Sequence, residues 1–229
     1  MRDLSEWKGC PPPARIFMEG RHVVLVPFET SHVEPLWQAF GGAAEINERL
    51  RYFPNPDFAT PAEFGAWLEA AQGGWLTYVV LDPTEENVLG MASYMRIDEK
   101  NGVIEVGSVA HGPEMARTPA ATELHYLMAR HVFEDLGYRR YEWKCHNDNA
   151  PSKRTATRLG FTFEGVFRQH VVSKGANRDT AWYAIIDAEW PAVKEAMEAW
   201  LAPENFDSDG RQKRRLEELR ATVTATATA

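Results

Sequence analysis

The stretch Arg139–His170 reads RRYEWKCHNDNAPSKRTATRLGFTFEGVFRQH. Its reading decides the fold. Arg140–Cys145 reads as a strand, rich in the aromatic residues that suit a pleated surface. It runs into a polar turn containing Asn149 and Ser152, where Asn149 is a residue type that caps helices. A short basic helix follows and stops at Leu159-Gly160-Phe161. Gly160 suits the left-handed position just past a helix end, and Phe161 then returns to the core. A second strand leaves through Phe163 and Val166 and continues over Gly165–His170.

The flanking sequence supplies the partners of this unit. His22–Pro27 is a strand, after which Thr30 or Ser31 caps a helix with Val33, Leu36, Trp37 and Phe40 at helical spacing. Gly41-Gly42 ends it, and residues 40–60 show charges and aromatics without a decisive pattern. Thr60-Pro61-Ala62-Glu63 opens the next helix, with Thr60 as N-cap, Pro61 in the first turn and Glu63 completing a capping box. Three strands follow, Leu76–Leu81, Val88–Ile97 and Val103–Ala110, separated by turns at Asp82-Pro83 and Lys100-Asn101-Gly102. A long helix, Pro119–Asp135, presents Ala121, Leu124, Met128 and Val132 on one face and stops at Gly137. Beyond the opening stretch come a turn at Lys174–Asn177, a strand Thr180–Asp187 and a helix Trp190–Leu201. Arg211–Arg220 is a candidate charged helix, and the terminal ATVTATATA is expected to fray. The expected organisation is an N-terminal arm (1–19), one domain (20–202) and a polar tail (203–229), partly disordered or helical. The element order predicts a mixed sheet with helices on both faces.

Composition narrows the function. A chain of 229 residues is long enough for one substantial core. Its net charge of −8 argues against a general nucleic-acid partner, which a basic face would attract. Two cysteines, Cys10 and Cys145, are too few for a disulfide framework. The N-terminal MRDLSEWKGCPPPAR lacks the apolar stretch of a signal peptide, and no apolar run is long enough to span a membrane. The expectation is a cytoplasmic protein with no membrane partner. His111, His125, His131 and His146 lack tight metal-ligand spacing, so no metal site is expected.

The unit from Arg140 through Leu159-Gly160-Phe161, with Asn149 and Ser152 at its turn, resembles the C-terminal half of the GCN5-related N-acetyltransferase (GNAT) family. The resemblance is to the RimJ/RimL-like branch and spans about Gly20–Trp200. It implies an α/β (α+β mixed) fold with a central, mostly antiparallel twisted sheet flanked by helices on both faces. It implies an enzyme that binds acetyl-CoA as co-substrate and acetylates a primary amine, without a metal. Homodimerisation is compatible with it. A non-catalytic acyl-CoA-binding module of the same fold is the alternative.

The chemistry of such a transfer sets three demands. Pyrophosphate needs donors, best supplied by backbone N–H groups at a helix start. The segment Met115–Glu123 fills that place, with Arg117, Thr118, Ala120 and Ala121 as candidate contacts. It departs from the family's Arg/Gln-x-x-Gly-x-Gly/Ala pattern. Ala116 stands where Arg or Gln is usual, and Pro119, which has no N–H, stands where the first Gly is usual. Thr118 is expected to cap the helix. The attacking amine must lose a proton, and Glu105 is the candidate base, with Glu45, Glu48 and Asp98 as weaker competitors. Gly107 marks a bulge that frees backbone groups of Val106, Ser108 and Val109 for a pantetheine arm. The resemblance implies that Asn149 contacts pantetheine and that Ser152 lies near the sulfur and assists the leaving thiolate. Arg154, with Lys153, is within reach of a CoA phosphate, whereas Arg158 reads as a solvated face. His170 reads as a hydrogen-bonded structural residue.

Overall fold

The structure, a computed structural model, describes residues 3–227. Its strands are β1 (Met18–Glu19), β2 (Val24–Pro27), β3 (Trp75–Leu81), β4 (Val88–Asp98), β5 (Val103–His111), β6 (Arg140–His146), β7 (Thr162–Ser173) and β8 (Ala176–Ile186). They form one sheet in the order β1-β2-β3-β4-β5-β6-β8-β7. Neighbours are antiparallel except β5 and β6, which run parallel. A parallel pair needs a crossover, and α4 (Pro119–Arg130) supplies it. The mixed, mostly antiparallel sheet flanked by helices is the architecture that the sequence predicts.

Helices cover both faces unequally. α1 (Val33–Ala39), α2 (Gly42–Arg49) and α3 (Pro61–Ala71) bury Leu36, Trp37, Ile46, Phe64 and Leu68 against Val26, Val79 and Met91. On the other face α4, α5 (Ala150–Leu159), α6 (Trp190–Leu201) and α7 (Leu216–Ala227) cover Tyr78, Tyr94, Ile104, Val106 and Tyr141. Tyr78–Leu81 of β3 therefore reads as an unbroken apolar run, because Tyr78 and Val80 enter one core while Val79 and Leu81 enter the other.

Several local expectations change. Gly41 does end α1, with φ 85°, but Gly42 opens α2 rather than a loop. Ile46 is the buried residue of α2, so no apolar stripe betrays the helix in the sequence. The N-terminal arm contributes β1, which pairs with β2. The last turn of the long helix, His131–Asp135, is widened into a π-helical turn. The C-terminal helix begins at Leu216, not Arg211, and continues through Ala227; residues 228 and 229 lie outside the described chain. At α3, Thr60 Oγ1 accepts from the Glu63 N–H at 3.3 Å, while the Glu63 carboxylate accepts from Ala59 N–H rather than from Thr60.

The sheet splits where the site lies. β5 pairs with β6 from Val103↔Arg140 to Val106↔Trp143 and no further. Beyond that point β5 bulges against β4. Ser93 pairs with Gly107 and Met91 with Ala110, so Ser108 and Val109 together oppose Ala92. Ser108 takes a left-handed φ of 51° at the bulge. Gly107 permits the geometry, because a Cβ there would meet Met95 Sδ at 2.4 Å and press on Glu105 Oε1 at 3.3 Å.

Candidate active site

Parting β5 from β6 opens a cavity of about 310 Å³. Val106, Ser108 and Val109 form one wall, and Asn149 and Ser152 form the other. A second cleft of about 940 Å³ continues from it past the start of α4, lined by Arg117, Thr118, Ala121 and Arg154. The two share His111, Pro151 and Thr155, so they form one continuous channel. The candidate residues from three distant sequence segments thus meet in one place. Ala120 is the exception. Its methyl group turns into the core, and only its backbone remains for a ligand.

The wall at α5 is built by capping. Asn149 Oδ1 accepts the Ser152 N–H at 3.1 Å, which closes the first turn. Gly160 ends the helix with φ 102°. Ser152 Oγ accepts from Trp143 Nε1 at 3.0 Å, which uses one of its two lone pairs and fixes the oxygen, and its O–H lies beside the Cys145 thiol. Cys145 lies in the same wall, and burial pushes its thiol up, with Ser152 and Lys153 opposing. Lys153 is not among the residues lining either cleft; its Nζ donates to Asn147 O at 3.1 Å.

The helix start at α4 differs from expectation. Thr118 has the extended backbone of an N-cap, but its hydroxyl donates to Met115 O at 2.7 Å instead of accepting from the helix. The Thr118 and Ala121 N–H groups also have internal acceptors, Met115 O and Thr118 O. Arg117 and Ala120 keep their amides open, and Arg117 is held at a left-handed φ of 66°. Arg158, expected to face solvent, instead donates to Thr122 Oγ1 at 2.9 Å and lies 4.7 Å over the Trp200 ring, lining the second cleft. Gln212 and Arg211 from the C-terminal segment complete that wall.

Glu105 is buried, not solvent-facing, at 5% exposure. Its carboxylate accepts from Lys144 Nζ at 2.8 Å and forms an ion pair with Arg96, whose Nε lies 3.1 Å away. Burial raises its pKa, and the attraction of Lys144 and Arg96 only partly offsets this. A carboxyl group raised in this way is a better proton acceptor near neutral pH. Among the competitors, Glu45 is tied to Arg49 at 2.8 Å, Glu48 pairs with Arg51, and Asp98 accepts from the Asn101 turn at 3.0 Å. His170 bonds Thr180 Oγ1 at 3.0 Å on the neighbouring strand. His111, on the channel wall, is held neutral by burial, with a pKa near 4.

Residues 40–60, which the sequence offered for the acceptor cleft, line the first cavity through Tyr52, Phe53 and Pro54, while sequence reasoning missed Trp75, Arg96, Lys144 and Arg178 there and Arg211 in the second. Each lies in a segment that shows no motif of its own. Among the described residues no cluster of three His, Cys, Asp or Glu side chains is arranged to hold a metal ion. No helix there is long and apolar enough to cross a membrane.

Comparison with known proteins now bears on this geometry. The Acetyltransferase (GNAT) domain family matches residues 22–162. The chain belongs to the GNAT acetyltransferase family. A GCN5-related N-acetyltransferase from Brucella melitensis is 49% identical, with 95% of this chain and 100% of that one aligned at a TM-score of 0.90. The SPbeta prophage-derived uncharacterized N-acetyltransferase YokL of Bacillus subtilis is 27% identical over 107 residues, 47% of this chain and 60% of that protein. The curated relatives are matched over 56–62% of their length. The ribosomal-protein-S5-alanine acetyltransferase of Vibrio fischeri is 19% identical with a TM-score of 0.59, a likeness of fold.

Proposed function

We propose that this GNAT protein is an acetyl-CoA-dependent N-acetyltransferase that acts on a primary amine, within the RimJ/RimL-like branch. One observation supports it above the rest. The β5–β6 opening presents unpaired backbone edges at Gly107–Val109 between a buried carboxylate and a serine whose oxygen Trp143 fixes in the cavity wall. The residues fit a pantetheine arm. Ser108 Oγ is buried without a partner, and the β5 edge lacks a neighbour from Gly107 onward. Arg117, Arg154 and Arg158 suit the phosphates in the adjoining cleft.

The co-substrate supplies an activated acyl group, whose C–S bond breaks as the acceptor's N–C bond forms, giving an amide and a free thiol. This chain's residues handle the protons. Glu105 takes the proton that the amine loses. Ser152 donates to the departing sulfur, and Trp143 holds the serine oxygen in place. Asn149 fixes the first turn of α5, and with it the position of Ser152.

Incubation with acetyl-CoA and a panel of amines tests the reading by the release of free thiol above the hydrolysis background. Release with at least one amine is the expected result. A second reading, an acyl-CoA sensor, draws on the 117–121 segment, where two of the candidate amides are already bonded. Tight acetyl-CoA binding with no turnover on any amine supports the sensor. Absence of CoA binding removes both.

A further inference from the structure

The floor of the β5–β6 cavity has one cation too many. Along the sheet face of Glu105, charges alternate in sign: Glu164, Arg140, Glu142, Lys144, Glu105, Arg96, each within 3.1 Å of the next. Every cation in that line has a carboxylate. Arg178 of β8 does not. It lines the same cavity, its side chain has no hydrogen bond or ion pair among the described residues, and its Nε is buried without an acceptor. It lies close enough to the line to feel Glu105 and Arg96. Glu105 already serves Lys144 and Arg96, so Arg178 has no share of it.

A guanidinium whose Nε is cut off from water without an acceptor carries a cost, and a carboxylate arriving from outside would relieve it by pairing the Nε–H and a terminal N–H with its two oxygens. The cavity lining holds Arg96, Lys144 and Arg178 against the single carboxylate of Glu105, in a chain whose overall charge is −8. The excess of positive charge is therefore local. It disfavours a polyamine or any other multiply charged cation. It also lowers the pKa of an ammonium group bound there, which favours the neutral, nucleophilic amine.

The anion must belong to the acceptor. The arginines suited to phosphates, Arg117, Arg154 and Arg158, line the other cleft, and the pantetheine arm with its acyl group has no charge. A cavity of about 310 Å³ is at the small end for ligand sites, and the end of the pantetheine arm shares it, so the room left for the acceptor suits nothing larger than a molecule of amino-acid size. A protein N-terminus is a poorer match, since its first carboxyl group is consumed in a peptide bond. We propose that the acceptor is a small amine that also bears a carboxylate, an amino acid or a close analogue, and that Arg178 receives the carboxylate. This rests on the N-acetyltransferase reading above.

The test uses the full chain with acetyl-CoA and matched acceptors: each standard α-amino acid, its carboxamide, its decarboxylated amine, and aminoalkylphosphonates. The expected result is a preference for carboxylate over carboxamide of roughly ten- to a hundred-fold in kcat/KM, the value of a charge-assisted hydrogen-bonded pair. In Arg178→Met that ratio collapses towards unity, and in Arg178→Lys it is partly restored. Equal or better use of carboxamides or decarboxylated amines by the wild type overturns the proposal, whether or not the variants fold. Preferential use of the phosphonates overturns the carboxylate assignment. If acetyl-CoA binds but no acceptor releases thiol, calorimetric titration of the CoA complex decides. Binding of an amino acid but not its carboxamide upholds the subsite while the catalytic reading fails. No binding of any amino acid at millimolar concentration overturns the subsite. Failure to bind acetyl-CoA at all sinks the functional reading and this inference with it.

Discussion

Trp143 Nε1 fixes the Ser152 oxygen, and the proposed role of Ser152 rests on its O–H turning to the departing sulfur. Ser152→Ala removes both the donor to the leaving sulfur and the acceptor of Trp143 Nε1. The expected effect is a fall in kcat of about 10- to 100-fold, the low end for a lost proton donor because a thiolate leaves readily. Acetyl-CoA KM should change far less, and steady-state kinetics separates the two. Unchanged kcat would take Ser152 out of the chemistry. Glu105 gives the pH prediction. Burial holds its folded pKa above the usual carboxylate range, so the basic form is lost as pH falls through that raised value. The acid limb of the kcat/KM profile should therefore follow Glu105, and it should disappear in Glu105→Gln together with most of the activity. The same shift means that ionising Glu105 opposes folding. Its contribution to stability is greatest below the unfolded carboxylate pKa and is lost as pH rises through the folded one. A Gln variant with an unaltered profile would rule out Glu105 as the base. Glu105, Asn149 and Ser152 were legible as candidates because each sits in a recognisable local pattern. Arg178 and Lys144 were not. Lys144 gains its meaning only from Glu105, Glu142 and the Trp182 ring 4.0 Å away, all on other strands or two residues along its own. Arg178 is defined by a partner it lacks.

Elements were readable where their ends have chemistry. α3 begins at Pro61 after Thr60, α5 ends at Gly160, and α6 runs over Trp190–Leu201 as its apolar spacing requires. α2 escaped notice because a helix with so little buried surface has no stripe to show. The bulge of β5 was signalled by Gly107, but the left-handed residue is Ser108, one position on. Thr118 shows the opposite failure, since a residue of capping type in capping position bonds backwards to Met115 instead. α5 allows capping and ligand contact to be separated. Asn149→Ala should destabilise the protein by about 1 kcal/mol through loss of the cap. Asn149→Asp keeps the accepting oxygen and should recover most of that stability in thermal unfolding, while removing the side-chain N–H₂. If the amide contacts pantetheine, acetyl-CoA KM stays raised in Asn149→Asp despite the restored cap. A KM that recovers along with stability would leave Asn149 a purely structural residue.

At the scale of the whole molecule, the channel depends on a segment that looked like a tail. Its sequence is polar, yet Leu216 and Leu219 are buried in the main core, at 1% and 8% exposure. The turn before them is pinned by Asn205, which donates to Trp200 O and Arg214 O and accepts from Arg214 N–H. Gln212 then accepts from Trp200 Nε1 at 2.8 Å, and Arg158 stacks on the same indole. Low apolar content hid this, because two leucines and one buried asparagine suffice to dock a short helix onto α5 and α6. Two variants divide the segment's roles. Leu216→Ala opens a core cavity and should lower stability by about 2–4 kcal/mol, read as a fall in Tm and in the denaturant midpoint. Arg211 is largely exposed and paired at 3.3 Å with an equally exposed Asp209, so Arg211→Ala should leave Tm nearly unchanged. Arg211 nevertheless lines the cleft of Arg154 and Arg158, and an exposed phosphate contact is worth about 0.5–1 kcal/mol, or roughly two- to five-fold in affinity. Acetyl-CoA KM should rise by that factor in Arg211→Ala, and the rise should shrink as added salt screens the contact. A KM equal to the wild type at low salt would confine the segment to packing, and a KM that rises only in Leu216→Ala would mean that the wall acts through its position rather than its charge.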